Sequence, residues 1–401
     1  MRVEASEPER FASRRVAVTG IGVVSAVGIG KEAFWEGLLA PARTGVRRIE
    51  GWDPSAWLGP KEIRRHDRYN QFGVAAAQMA WDDAGAPSVD PARAGVIMGT
   101  GVGGLESLEN QIVMAEKRGY DRITPFLVPL FMANSNAASI SMRFGLNGPC
   151  ETISTACAAG NHAIANAAHL VAMGRLDVAL AGGAEAAITP SATAGFTNMT
   201  ALSKEGISRP FDRDRDGFVM AEGAAVLVLE DAEHARARGA HIYAYIEGTA
   251  STADAHHITA PAPGGVGARS AIELALADAG ITPRDVGHVN AHGTSTPLND
   301  LAEAGALRAV FGDAVPPVTS MKGALGHALG AAAALEAVGV MLTFEHQLIP
   351  PTQGTVALDP EIDIDVVLKD PRPLPPGRII SNAFGFGGHN AVIVFGPPST
   401  D

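Results

Sequence analysis

Cys157 lies in the run Glu151-Thr-Ile-Ser-Thr-Ala-Cys157-Ala-Ala-Gly160, where a short β-branched segment gives way to small residues. An alanine-rich helical pattern follows, from Asn161 to Met173. This placement puts the thiol at a helix N-terminus, whose partial positive charge lowers a cysteine pKa and favours the nucleophilic thiolate. The small neighbours leave room for an acyl group. Cys150 reads instead as an ordinary structural cysteine. Three further stretches carry groups that could serve such a nucleophile. His292 follows a strand in Asn290-Ala-His292-Gly-Thr294-Ser-Thr296, and catalytic groups gather at the C-terminal ends of parallel strands. The run Lys322-Gly-Ala-Leu-Gly-His327 supplies a lysine and a second histidine, and Glu336 lies on the helix expected after it. Asn382-Ala-Phe384-Gly-Phe386-Gly-Gly388 offers unencumbered backbone N–H groups, the material of an oxyanion hole. A thiol, two imidazoles and a set of amide donors point to acyl transfer through a thioester.

Other chemistries fit less well. Gly99-Thr-Gly101-Val-Gly103-Gly104 matches the dinucleotide fingerprint G-x-G-x-x-G, but no acidic residue stands at the right distance on a following strand end. Asp212-Arg-Asp214-Arg-Asp216-Gly217 opens like a calcium loop, yet Gly223 occupies the place of the chelating glutamate, so a charged structural loop is expected. With neither C-x-x-C nor H-E-x-x-H, a zinc site has no support. No cofactor is implied.

The elements that must position these groups alternate strand and helix. Strands are expected over Val16 to Val24, Gly95 to Met98, Asp177 to Ala181, Ala224 to Leu229, His241 to Ile246 and Val286 to Asn290. Others fall at Pro317 to Ser320, near Ile364 to Leu368, at Ile379 to Ser381 and at Ala391 to Phe395. The intervening helices include Lys31 to Leu39, a helix opened by the basic cluster Lys61 to Arg68, Ala268 to Ala279, Leu301 to Phe311 and His327 to Thr343. Such alternation means βαβ units with helices on both faces of the sheets. The pattern restarts near residue 240, which predicts an internal duplication: a polar tail over 1–14, one half over 15–240 and a second over 241–401.

Composition bounds the rest. Apolar residues at 46% and charged residues at 18% describe a well-packed chain, and a net charge of −12 argues against nucleic acid. Two cysteines cannot build a disulfide framework, so a reducing cytoplasm is expected. The first residues show no apolar leader, and the most apolar helix, Ala328 to Leu342, is interrupted by Glu336 and too short to span a bilayer.

The motifs Thr155-Ala-Cys157-Ala-Ala-Gly160, Asn290-Ala-His292-Gly-Thr294-Ser-Thr296, Lys322 with Gly326-His327, and Phe384-Gly-Phe386-Gly-Gly388 resemble those of the elongating β-ketoacyl-[acyl-carrier-protein] synthases. Arg209-Pro-Phe-Asp212 followed by Arg215-Asp-Gly217 does so too, and the resemblance runs from about Arg15 to Gly396. It implies a thiolase-like α/β fold, duplicated halves forming a five-layer α-β-α-β-α core, normally dimeric. It further implies Cys157 as the acylated nucleophile, and His292 and His327 as the pair that assists decarboxylation of a malonyl extender. Lys322 would order the His327 neighbourhood with Glu336 as its helix partner, and the Phe386 N–H would complete an oxyanion hole with that of Cys157. Phe384 would be a gate, Thr294 and Thr296 would hold the phosphopantetheine arm, and Val102 and Phe196 would line the acyl pocket. Arg64 and Arg65 match the family's docking site for its acidic partner, the acyl carrier protein, and Arg68 belongs to the same basic cluster.

Some positions depart from the family's common pattern, notably Asn299, His389, Asp121 and the Ala-Ala-Gly-Asn run after Cys157. They leave open whether the chain elongates fatty acids, as a homodimer, or is a type II polyketide ketosynthase paired with a cysteine-less chain-length factor. Readings from other classes are a dinucleotide-binding oxidoreductase and a non-catalytic partner subunit.

Overall fold

The computed structural model describes residues 14–398; residues 1–13 of the expected polar tail lie outside them. Arg14 is no part of a tail, because its guanidinium bridges Asp177 at 2.9 Å and Asp231 at 2.8 Å.

The first strand, β1 (Val16–Ser25), is buried at every position, as a strand covered on both faces must be. The remaining strands of the first half are β2 (Ala94–Gly99), β3 (Cys150–Ile153), β4 (Val178–Glu185) and β5 (Gly223–Asp231). Those of the second are β6 (Ala244–Ala253), β7 (Val286–Asn290), β8 (Val318–Thr319), β9 (Arg378–Gly385) and β10 (His389–Gly396). Across the sheet the order is β3-β2-β4-β5-β1-β6-β10-β9-β7-β8. Within each half the strands therefore lie in the same sequence, third, second, fourth, fifth, first. The parallel and antiparallel pairings repeat as well. The halves join where β1 pairs antiparallel with β6, Val16 opposite Ile246 and Val18 opposite Ala244. With the two-residue strand Gly28–Ile29 on β1, the sheet counts eleven strands.

The helices that cover and divide it include α1 (Lys31–Leu39), α2 (Arg68–Asp83), α3 (Leu105–Arg118), α4 (Ser135–Phe144), α5 (Ala159–Ala172), α6 (Val266–Asp278), α7 (Pro297–Phe311) and α8 (Ala332–His346). Helices α5 and α8 lie between the two halves of the sheet, in one apolar cluster with Leu227 of β5, Ile379 of β9 and Ile393 of β10. A second cluster packs α2 and α4 on the outside of the first half, and a third packs α6 and α7 on the outside of the second. Two outer helix layers, two strand layers and one shared helix layer give the α-β-α-β-α sandwich. Alanine dominates α5 and α8 because helices squeezed between two sheets need thin side chains on every side. Where they cross, even one methyl is too much: a Cβ on Gly160 would stand 2.7 Å from the Ala334 backbone nitrogen. The only helical stretch among the described residues long and apolar enough to cross a membrane, Leu329–His346, is almost wholly buried here.

Several elements differ from the sequence expectation. The helix expected from Lys61 breaks, because Asp67 caps a new one by accepting the Tyr69 N–H at 3.0 Å. His327 lies in an extended bridge to Met220, not at a helix start; a 3₁₀ turn, Leu329–Ala331, with Leu329 at φ +47°, delays α8 to Ala332. The stretch 364–368 makes only a single bridge, Val366 to Val318. Strand β6 begins three residues later than expected, at Ala244, and runs on to Ala253.

Candidate active site

Cys157 occupies a 3₁₀ turn, Ala156–Ala158, between the end of β3 and the start of α5. Ala156 takes φ +50°, a left-handed conformation unfavourable for a side chain, so the turn is held by its surroundings. One restraint is the end of β9: a Cβ on Gly385 would come within 2.7 Å of Thr155 O and 3.1 Å of Cys157 N. Glycine lets the two backbones touch, and this contact sets the Phe386 N–H beside the sulfur. Burial pushes the Cys157 thiol up, to about 11, against the Lys322 charge and the Phe386 N–H, which pull it down. The expected lowering by a helix N-terminus is thus outweighed by desolvation, and Cys157 rests as a thiol.

His292 follows β7, and His327 follows the short turn after β8. Their rings meet edge to face with centroids 5.5 Å apart, and both side chains are buried. Burial holds both imidazoles far below the ordinary histidine value, with Lys322 adding to the effect on each. Both are neutral at physiological pH. Lys322 Nζ lies 2.7 Å from His292 O, 2.5 Å from Glu336 Oε1 and 3.3 Å from His292 Nδ1, three acceptors for its three N–H groups. An ammonium only donates, so Nδ1 accepts and the His292 proton sits on Nε2. The lysine thus orders His292 directly, whereas the sequence reading tied it to the neighbourhood of His327.

A cavity of about 460 Å³ connects these groups. Cys157, His292, His327, Phe384, Phe386, Thr294, Thr296, Val102 and Phe196 all line it. The Phe384 ring packs against His292 with centroids 5.7 Å apart, and the Phe196 ring against Phe218 at 5.3 Å. The Thr294 and Thr296 hydroxyls hydrogen-bond each other at 2.9 Å. Asn299 also lines the cavity and donates to Asp300 at 3.1 Å.

The basic cluster divides. Arg64 and Arg65 are exposed, Arg65 over the Phe126 ring at 4.9 Å. Arg68 turns inward to Glu222 at 2.6 Å and to Ile49 O at 2.7 Å, so its charge is already neutralised and it drops out of the docking set.

Four buried groups escaped the sequence reading. Glu303 accepts the His292 and Gly293 N–H groups, each at 2.8 Å, and the Asn382 amide at 3.0 Å. Burial raises its carboxyl to about 7. Asp300, one turn earlier, accepts the Phe211 N–H at 2.8 Å. Both lie on the buried face of α7 with Ala304, Leu307 and Phe311, and acidic residues at core spacing were the available signal. His162 bonds Thr155 and Ser251 (below). Glu185 accepts from Gly101 N at 2.6 Å, Gly330 N at 3.0 Å and Thr100 Oγ1 at 3.0 Å. Gly103 N donates to Thr100 Oγ1 and Gly104 N to Phe131 O. The donors a pyrophosphate would need are therefore occupied, by a buried carboxylate above all, and the dinucleotide reading fails. The calcium-like loop is structural: Asp212 accepts the N–H groups of Asp214, Val356 and Ala357. No cluster that could hold a metal occurs among the described residues.

Comparison with known proteins fits this geometry. Residues 56–235 match the β-ketoacyl synthase N-terminal domain and residues 243–355 its C-terminal domain. The 3-oxoacyl-[acyl-carrier-protein] synthase 2 of Synechocystis sp. is 40% identical over 407 residues, covering 95% of this chain and 98% of that protein. Among solved structures, the ishigamide ketosynthase/chain length factor superposes with a TM-score of 0.92 at 34% identity, covering 97% of this chain and 100% of that one. A type II ketosynthase bound to a hexaketide, in complex with its acyl-carrier protein, superposes with a TM-score of 0.88 at 32% identity, covering 96% and 100%. With a whole-length relative and both family domains in place, the chain belongs to the β-ketoacyl synthases and is a condensing acyltransferase.

Proposed function

We propose that Cys157, His292 and His327 divide a decarboxylative Claisen condensation between them. The Cys157 sulfur attacks an acyl thioester of the acyl carrier protein, and its proton leaves on the carrier's phosphopantetheine thiol. The N–H groups of Cys157 and Phe386 take the charge on the tetrahedral oxygen. Malonyl carrier protein then loses CO₂. The enolate oxygen receives hydrogen bonds from two neutral imidazoles, that of His292 through Nε2–H. The enolate carbon attacks the Cys157 thioester, giving β-ketoacyl carrier protein and freeing the sulfur, which regains a proton. The observation that carries this reading is the convergence of thiol, both imidazoles and the Phe386 N–H on one cavity.

Lys322, paired with Glu336, positions His292. Thr294 and Thr296 hold the phosphopantetheine arm, Phe384 gates it, and Val102 and Phe196 bound the acyl chain. Arg64 and Arg65 meet the acidic carrier protein. The chain divides at residue 240 into a nucleophile half, 15–240, and a histidine half, 241–401, a division that the repeated strand order supports. The two free cysteines support a cytoplasmic setting.

For the pathway, elongation of acyl chains by a homodimer is the leading reading. A polyketide ketosynthase subunit paired with a chain-length factor is the second, and the likeness to the ishigamide ketosynthase/chain length factor favours it. Exposed Ile112, Val113, Val128 and Met142 support a subunit interface in either case. Intact-mass measurement after incubation with a panel of acyl carrier proteins tests the reading. A mass gain mapping to Cys157, lost in Cys157→Ala and kept in Cys150→Ala, is expected; an acyl group on Cys150 would overturn the assignment. Light scattering on the chain alone separates homodimer from a subunit awaiting its partner.

A further inference from the structure

We infer that His162 is a positioning residue for the nucleophile turn, acting through Thr155. His162 lies in the first turns of α5 and is buried. Its Nδ1 is 2.8 Å from Thr155 Oγ1, two residues before the nucleophile, and its Nε2 is 2.8 Å from Ser251 Oγ on β6. One imidazole thus ties the strained turn of the first half to a strand of the second. Thr155 also needs holding: it stands at φ −126° and ψ 44°, outside the regular regions, immediately before Ala156 at φ +50°. Its carbonyl closes the turn onto Ala158 N at 3.1 Å and abuts Gly385. Two hydroxyls flank a single neutral imidazole, which supplies one donor and one acceptor, so both contacts are satisfied without a charge. Burial, with His389 adding to it, holds His162 at about 4, which keeps it neutral in the working range.

The link acts where small displacements matter. The Cys157 N–H must point at the developing oxyanion, and a misplacement of about 1 Å costs on the order of 10²-fold. His292, His327 and Lys322 belong to a separate set of contacts that does not pass through Thr155. Losing the link should therefore slow acylation and spare decarboxylation. The inference rests on Cys157 as the acylated residue, which peptide mapping of the wild-type acyl-enzyme tests on its own.

The experiment measures two rates on the full chain: acylation of Cys157 by an octanoyl thioester of acyl carrier protein, and CO₂ release from malonyl carrier protein. Acylation should fall by about 10- to 100-fold in His162→Ala and Thr155→Val, while CO₂ release stays within about threefold. His162→Asn places an amide where Nδ1 was and should recover most of the acylation rate; His162→Gln, which mimics only Nε2, should not. Should His162→Ala fail to fold, Thr155→Val decides alone, since it keeps side-chain volume and the Ser251 contact. Unchanged acylation in Thr155→Val overturns the inference. So does a parallel fall of both rates in that variant, or equal recovery by Asn and Gln.

Discussion

Replacing Lys322 by Met removes a charge that is 1% exposed from beside Glu336, which is fully buried, at 2.5 Å. The stranded carboxylate would have only Asn290 Nδ2, at a long 3.5 Å, as a remaining donor. Breaking a buried pair from one side costs roughly 3–5 kcal/mol, because an unpaired charge is left in the core. Against a total stability of about 5–15 kcal/mol the variant still folds, with a lower denaturation midpoint. The double variant Lys322→Met/Glu336→Leu removes both charges, and such replacements run from neutral to stabilising, so its stability should return to within about 1 kcal/mol of the parent. Catalysis should not return. Without Nζ, the His292 carbonyl and Nδ1 both lose their donor, and nothing holds the proton on Nε2 facing the cavity. Groups of this kind contribute about 10²–10⁴-fold, so CO₂ release from malonyl carrier protein should stay depressed by that order in both variants. Urea titrations paired with a CO₂ assay make the test. Recovery of decarboxylation in the restabilised double variant would show that Lys322 only neutralises Glu336, and the tautomer argument would fall.

Because His292 and His327 are held neutral by burial, neither imidazole should add a protonation step to CO₂ release between pH 6 and 8, and any step near 7 should vanish in Glu303→Gln. Alkylation of Cys157 by iodoacetamide should instead climb about tenfold per pH unit through that range, as expected for a thiol near 11; a plateau by pH 8 would refute the buried-thiol description. Charge reversal at Arg64 and Arg65 should raise KM for carrier-bound substrate, more so at low salt, and leave a small thioester mimic unaffected. Equal loss with both substrates would refute docking there. His288 is buried with neither ring nitrogen bonded, and burial holds it at about 3. The unfolded chain takes its proton near pH 6.5, so stability drains as pH falls below that value, by ~1.4 kcal/mol per unit from this group. His288→Leu should flatten the stability curve by roughly 2.3 kcal/mol between pH 6.5 and 4.5; an unchanged slope would mean that His288 protonates in the fold.

Much of this was legible in the chain itself. Strand and helix alternation, and its restart near residue 240, follow from local periodicity, and such patterns survive because a core-facing residue must be apolar wherever the core is. That Cys157, His292 and His327 share one cavity was legible because small-residue and glycine-rich turns beside strands carry all three in sequence. The supporting groups were not. Glu185 reaches from β4 to the turn after β2 and to Gly330, 145 positions away. His162 meets Ser251 across both halves, 89 positions apart. Such contacts belong to the sandwich and leave no local periodicity. The charge states were tertiary as well. A helix start predicts a low thiol pKa, but desolvation grows with everything packed around the sulfur, and that burial raises it instead. Arg64, Arg65 and Arg68 look alike along the chain, yet the buried Glu222, 154 positions away, meets Arg68 alone and turns it inward. What sequence determines is which elements form and what chemistry they carry; which side chains meet, and how burial sets their protons, is decided only when distant strands close on one another.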